Sequence, residues 1–225
     1  MSAADMEIDT NNTIMAHLLP AHLSHKSALV LMPPAMILAP IEAVRYAHDR
    51  HYARWPAHIN LVYPFLRSPS DSGLDIEPSS RRLKQDIRMR IKRATAAIQP
   101  FRVALGADSL DTLQARNKKV IRLSPTTQAI QHLQAALQAE FTECNTDKRP
   151  FVPHLSLGQA DDDDGEHLLR KEFTKRISDF LAANGEENAT DLDWNVTRVL
   201  VIDRTGELDR FEVVEAINLG TQLPT

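Results

Sequence analysis

The chain has 225 residues, enough for one large domain or two small lobes, and a chain of this length buries roughly 70% of its unfolded surface without a disulfide or metal staple. Its single cysteine, Cys144, excludes a disulfide framework and any paired-cysteine zinc or redox motif, and its 7 glycines form no phosphate-cradling loop. The net charge of −4 argues against a basic surface wrapping long double-stranded nucleic acid, and leaves a nucleotide or short RNA end open as a ligand. The longest apolar stretch, residues 28–41, is short and interrupted by Pro33-Pro34, so no membrane partner is expected. Asp5, Glu7 and Asp9 stand where a signal peptide would be basic. A soluble, reducing compartment follows, cytoplasm or nucleus.

Residues 1–26 mix Asp, Asn, Thr, Ser and three histidines with no sustained periodicity, and read as a mobile tail ahead of a single domain over 27–225. An all-apolar strand over 28–32 is ended by Pro33-Pro34. Ile37, Ile41 and Val44 recur at helical spacing, giving a helix to about Arg50. Residues 58–65, rich in β-branched and aromatic side chains, read as a strand, and 67–80 as a loop by composition. Leu83, Ile87, Ile91, Ala94 and Ile98 line one face of an amphipathic helix. The arginines and lysines around that face, from Arg81 to Arg93, read as a solvated exterior. Strands are expected over 101–107, 112–115 and 119–123.

The order then repeats. A strand ends at Ser124-Pro125, and a helix follows with Ile130, Leu133, Leu137 and Phe141 on one face. A strand over 154–157, an acidic loop over 161–166 and a helix carrying Phe173, Ile177 and Leu181 come next. Two strands, 194–203 and 210–219, close the chain. Within this repeat, Trp55-Pro56-Ala57-His58-Ile59-Asn60-Leu61 aligns with Phe151-Val152-Pro153-His154-Leu155-Ser156-Leu157. A short motif recurs by chance easily; one that carries its surrounding strand–proline–helix order does so rarely.

Alternate side chains of a strand share a face. His58 and Asn60 therefore point away from the layer that Ile59 and Leu61 enter, and His154 and Ser156 do the same in the second copy. If two lobes pack about a pseudo-twofold axis, both polar pairs line one cleft. Two imidazoles suit phosphodiester chemistry, since one takes a proton from the attacking oxygen and the other gives one to the leaving oxygen. The Ser156 hydroxyl and Asn60 amide can donate to non-bridging phosphate oxygens. No carboxylate–histidine cluster suggests a metal, and no cofactor is expected. Tyr63, Arg54 and Arg149 lie near the motifs and are further candidates for substrate contact, as are Lys118 and Lys119. His48 and His51 have metal-like spacing but sit at a helix end. Cys144 reads as a small packed residue beside Phe141.

HINL at 58–61 and HLSL at 154–157 resemble the paired motifs (His, apolar, Ser or Thr, apolar) of the two-histidine (2H) phosphoesterase superfamily, which includes 2′-5′ RNA ligase-like proteins and cyclic nucleotide phosphodiesterases. The resemblance spans about residues 28–220. It implies an α+β, duplicated bilobal fold: two antiparallel sheets, helices on the outside, and a central cleft carrying both motifs. It implies a phosphodiesterase, a hydrolase acting without metal on a 2′,3′-cyclic phosphate, a 2′-5′ linkage or an RNA end. His58 and His154 would be the acid–base pair, and Asn60 and Ser156 the phosphate contacts. A monomer with a nucleotide or short RNA substrate is expected. Asn60 departs from the Ser or Thr of the family pattern, and keeps open a second reading in which the same cleft binds nucleotide or RNA phosphate without turnover.

Overall fold

A computed structural model describes residues 19–71, 81–115, 117–147 and 149–220. In chain order its elements are β1 (Leu23–Ser24), β2 (Ser27–Leu31), α1 (Ala35–His48), β3 (Ile59–Val62), β4 (Phe65–Leu66), β5 (Ser70–Asp71), β6 (Arg82–Leu83), α2 (Gln85–Thr95), β7 (Phe101–Gly106), β8 (Leu110–Ala115), β9 (Lys118–Leu123), α3 (Gln128–Glu140), β10 (Leu155–Ala160), α4 (Asp163–Ala183), β11 (Asp191–Val196), β12 (Arg198–Asp203) and β13 (Glu212–Asn218).

The apolar run of β2 is buried along its whole length because both of its faces are covered. Leu29 and Leu31 enter the main core, while Ala28 and Val30 join a smaller cluster with Leu200, Ile202 and Phe211. A run apolar at every position, as over 28–31, is what two-sided burial favours. β2 is central in an antiparallel sheet of order β13-β12-β2-β3, and a second antiparallel sheet runs β10-β9-β8. The expected α+β fold with two antiparallel sheets is therefore present.

Helix placement differs from a simple pair of self-contained lobes. α1 follows β2 in the chain but packs on β10 and α4, and α3 follows β9 but packs on β3 and α2. Each copy's first helix thus covers the other copy's sheet. Both helices begin after a strand-ending proline, and Pro34, the residue before α1, is extended (φ −70, ψ 155), which carries the chain past its own sheet before it can coil. The two C-terminal strands, β12 and β13, return to complete the sheet of β2.

Several boundaries move. Residues 20–26, expected in the tail, are docked: Leu23 is fully buried, β1 pairs with β4, and Arg67 Nε donates to the Ala21 carbonyl at 2.7 Å. The tail over residues 1–18 lies outside the described residues, as do residues 72–80 of the expected loop. The rest of that loop includes β5, which pairs with β6. The single strand expected over 194–203 is two, because the chain changes partner at Thr197: β11 pairs with β7 and β12 with β2 and β13. The acidic loop over 161–166 is in fact the start of α4. Asp162 caps it by accepting from the Gly165 N–H at 2.8 Å, and Asp163, Asp164 and Glu166 complement the positive end of the helix dipole.

The motif strand β10 lies very close to α1. A Cβ on Gly158 would stand 2.6 Å from the His48 Cβ and 2.9 Å from its backbone, so only glycine lets the two elements meet. Gly158→Ala is expected to cost about 1–3 kcal/mol of stability by overpacking. A urea midpoint equal to the unmodified protein's would show that α1 can retreat at no cost.

Candidate active site

His58 immediately precedes β3. Ile59 and Leu61 are buried in the main core, while Asn60 stands opposite Val30 on β2 and so shares the face of the smaller cluster. His58 Nδ1 is 2.8 Å from the Pro56 carbonyl. A carbonyl only accepts, so the neutral ring carries its proton on Nδ1 and leaves Nε2 as the base. The Trp55 ring stacks on the imidazole (centroids 4.6 Å apart, 16° between planes), and Trp55 also stacks on Phe211 at 3.9 Å. Burial among these groups lowers the His58 pKa to about 4, with Arg45 and His154 adding to the fall and the Pro56 carbonyl opposing it.

His154 immediately precedes β10 and repeats the arrangement. Its Nδ1 is 2.9 Å from the Val152 carbonyl, again two residues back, and again the neutral ring offers Nε2. Leu155 and Leu157 are fully buried, so Ser156 stands on the opposite face. There it pairs across to Arg122 on β9, which in turn pairs across to Asp111 on β8. Arg122 Nε and Nη2 both donate to Asp111 Oδ2, at 2.9 and 2.6 Å. Burial lowers the His154 pKa; Arg122 lowers it further, while the Val152 carbonyl and Asp111 raise it.

The two motif histidines are close enough for the charge of His154 to depress ionisation of His58. Both present the same nitrogen, held by the same two-residue hydrogen bond. The walls beside them differ. The row across the first sheet is Asn60, Val30 and Leu200, with Trp55, Tyr63 and Met32 packed nearby; the row across the second is Ser156, Arg122 and Asp111. Asn60 Oδ1 is buried without a hydrogen-bond partner, a cost of about 1–3 kcal/mol for an unmet acceptor.

The other candidates separate. Tyr63 packs edge-on to Trp55 at 5.4 Å and beside His25 at 5.2 Å, and burial pushes its phenol up to about 12, so it stands against Trp55 as a neutral hydroxyl. Arg54 Nη2 is 3.0 Å from His51 Nδ1. Arg149 is 86% exposed and ion-paired with Asp147, two residues back. Lys119 is held by Asp163 and Glu166 and Lys118 by Asp161, so the acidic run occupies both lysines. His48 bonds Glu172 at 2.8 Å. Arg88 and Arg90 on α2 are held by Glu215 and by Glu143 and Glu140. Among the described residues no three His, Cys, Asp or Glu side chains converge as a metal site. Cys144 is buried, and its thiol is pushed up to about 12. A cavity of about 510 Å³ lies between Arg102, Asp193, Thr126 and Thr127 and contains neither motif.

Three neighbours of the site carry no site assignment from the sequence pattern. Arg122 and Asp111 are polar positions in alternating strands, and alternation signals their face; the cross-strand register that puts them beside Ser156 does not show in a single sequence. Arg45 sits on α1, where helical spacing alone places it among solvated residues, yet it is 2% exposed.

The sequence profile of the 2′-5′ RNA ligase superfamily matches residues 33–208. Among solved structures, the chain is similar to TT0787 of Thermus thermophilus (TM-score 0.50, 12% identity, 88% of this chain and 100% of that chain). It is also similar to a protein described as a phosphoesterase (TM-score 0.49, 18% identity, 88% and 99%) and to E. coli LigT in its apo form (TM-score 0.49, 15% identity, 89% and 100%). Comparison with curated proteins returns no match. With that profile covering both histidine motifs, the chain belongs to the 2′-5′ RNA ligase superfamily of two-histidine phosphoesterases.

Proposed function

We propose that the protein is a metal-independent phosphodiesterase acting on a ribose-linked phosphodiester: a 2′,3′-cyclic phosphate, a 2′-5′ linkage or an RNA end. The observation that carries this reading is the matched pair of backbone locks, Nδ1 of His58 on the Pro56 carbonyl and Nδ1 of His154 on the Val152 carbonyl. An imidazole so held can only exchange protons at Nε2, which is the requirement for acid–base work on an oxygen in front of it. His58, lowered to about 4, is neutral near pH 7 and is assigned the base; His154, lowered by burial and by Arg122 with the Val152 carbonyl and Asp111 opposing, is assigned the acid as the other member of the pair. In hydrolysis of a cyclic phosphate, His58 Nε2 takes a proton from water as that oxygen bonds phosphorus. His154 gives its proton to the ribose oxygen as the P–O bond breaks. Ser156 Oγ and the Asn60 amide donate to the non-bridging oxygens, where negative charge builds. Two imidazoles supply both proton transfers, so no metal-bound water is needed.

Purified protein incubated in EDTA with the four 2′,3′-cyclic mononucleotides and with short 2′-5′ and 3′-5′ oligonucleotides should turn over at least one of them. Nucleotide retained with no turnover at any pH would replace the catalyst by a binding module that uses the same cleft. Turnover abolished by EDTA and restored by a divalent cation would overturn the metal-independent mechanism.

A further inference from the structure

The segment that leads into His58 is gripped from α1. Glu42 Oε1 accepts the Ala57 N–H at 3.2 Å, and Arg45 Nη2 donates to the Trp55 carbonyl at 2.9 Å. These two bonds bracket Pro56, whose carbonyl orients the His58 ring. Arg45 Nη1 also donates to Glu42 Oε1 at 2.9 Å, so the two gripping side chains hold each other.

The same helix end reaches the other motif strand. Arg45 Nε and Nη2 donate to Asp49 Oδ2 at 3.2 and 2.7 Å, with both side chains almost wholly buried. Asp49 Oδ1 accepts from Gln159 Nε2 at 3.2 Å, and Gln159 Oε1 accepts the Arg50 N–H at 3.1 Å. Gln159 is on β10, three residues after Ser156, and beside it Gly158 lets α1 and β10 meet backbone to backbone. One buried ionic network therefore touches the backbone before His58 and the strand after His154.

We propose that Arg45 and Glu42 are positioning residues that hold the Trp55–Ala57 segment in register with β10, and so set the placement of the His58 imidazole relative to His154. A buried ion pair is a weak contributor to stability compared with an apolar filling of the same space. Its distinctive yield is direction: a guanidinium fork and a carboxylate fix the angles of the groups they bond, which an apolar contact does not. A misplacement of about 1 Å can cost a reaction 10²-fold, so angular control at this segment bears directly on rate. The second histidine is reached by a different route, since Arg149 ahead of it is exposed and pairs locally with Asp147.

The proposal rests on the two-histidine reading, and its test is arranged so that the two can fail separately. The charged or titratable groups acting on His58 are Arg45 of α1, Asp49 at its C-terminal cap and His154 of the other copy. Removing Arg45 removes a cation and leaves Asp49 uncompensated, and both changes favour the His58 cation. In Arg45→Met, imidazole ¹⁵N NMR should show His58 titrating measurably above its value of about 4, with mixed tautomers at neutral pH in place of Nδ1–H alone. Arg45→Lys should restore most of the titration midpoint. Glu42→Ala, at a residue 20% exposed, is the variant to use if Arg45→Met does not fold, and should loosen the His58 tautomer in the same way. On a substrate that is turned over, kcat should fall at least about tenfold with KM within about threefold. Unchanged His58 tautomer and midpoint in folded Glu42→Ala, and in Arg45→Met where it folds, together with unchanged kcat, would reduce Arg45 to a core ion pair and overturn the proposal. If the unmodified protein turns nothing over, the two-histidine reading fails on its own, and the NMR result still decides whether Arg45 and Glu42 position the ring.

Discussion

His58→Ala and His154→Ala are each expected to lower kcat by about 10²–10⁴-fold, the usual contribution of one general acid or base. KM should change much less, because in the proposed mechanism Ser156 and the Asn60 amide remain to hold the phosphate. The double variant should lose little more than the worse single one, since an acid without its base completes no proton transfer. The unmodified enzyme's pH profile follows from the depressed pKa values of the two rings. The rising limb of kcat/KM should track loss of the proton from His58, at about pH 4 in the free enzyme. The falling limb should track loss of the proton from His154, which burial places below the ordinary histidine value of 6.5. The optimum of kcat/KM is therefore expected on the acid side of 6.5, with each limb missing in the variant that lacks its histidine. Full turnover in either alanine variant would move the active site elsewhere.

Acid should destabilise the fold through the same His58 ring. Its folded pKa of about 4 lies below the 6.5 of an exposed histidine, so between these values the unfolded chain binds a proton that the folded one refuses. The contribution is fully present above pH 6.5 and is lost as the pH falls through 6.5 towards 4. At pH 4.5 the loss amounts to about 2–3 kcal/mol, because each pH unit between the two values is worth about 1.4 kcal/mol. The measurement is the urea midpoint at about pH 7.5 and about pH 4.5, for the unmodified protein and for His58→Gln, which fills similar space without titrating here. The acid-induced drop should be smaller in the glutamine variant by about that amount. Equal drops in the two proteins would mean that His58 accepts its proton inside the fold without penalty. His154 is displaced in the same direction but is common to both proteins, so it cancels.

The all-apolar run of β2, the proline punctuation, the amphipathic stripe of α2 and the duplicated His-x-polar-x pattern are all legible along the chain, because each depends on neighbours within a few residues. Strand alternation alone places Asn60 and Ser156 on the face opposite the core. The acidic run over 161–166 reads as a loop by composition, yet its carboxylates cap and stabilise the first turn of α4, a role that their position at the helix start gives them. Partner choice is a different matter. That α1 crosses to cover β10, that Arg122 stands across from Ser156, and that Arg45 is buried between Trp55 and Asp49 all depend on pairings between elements that the local pattern does not join. Periodicity fixes which face of an element is apolar and leaves open what that face meets. Local pattern thus sufficed for the two histidines and their apolar supports. Their tautomers follow from carbonyls two residues back, while tertiary packing decided their depressed pKa values and the charged groups around them, because burial and long-range pairing produce both.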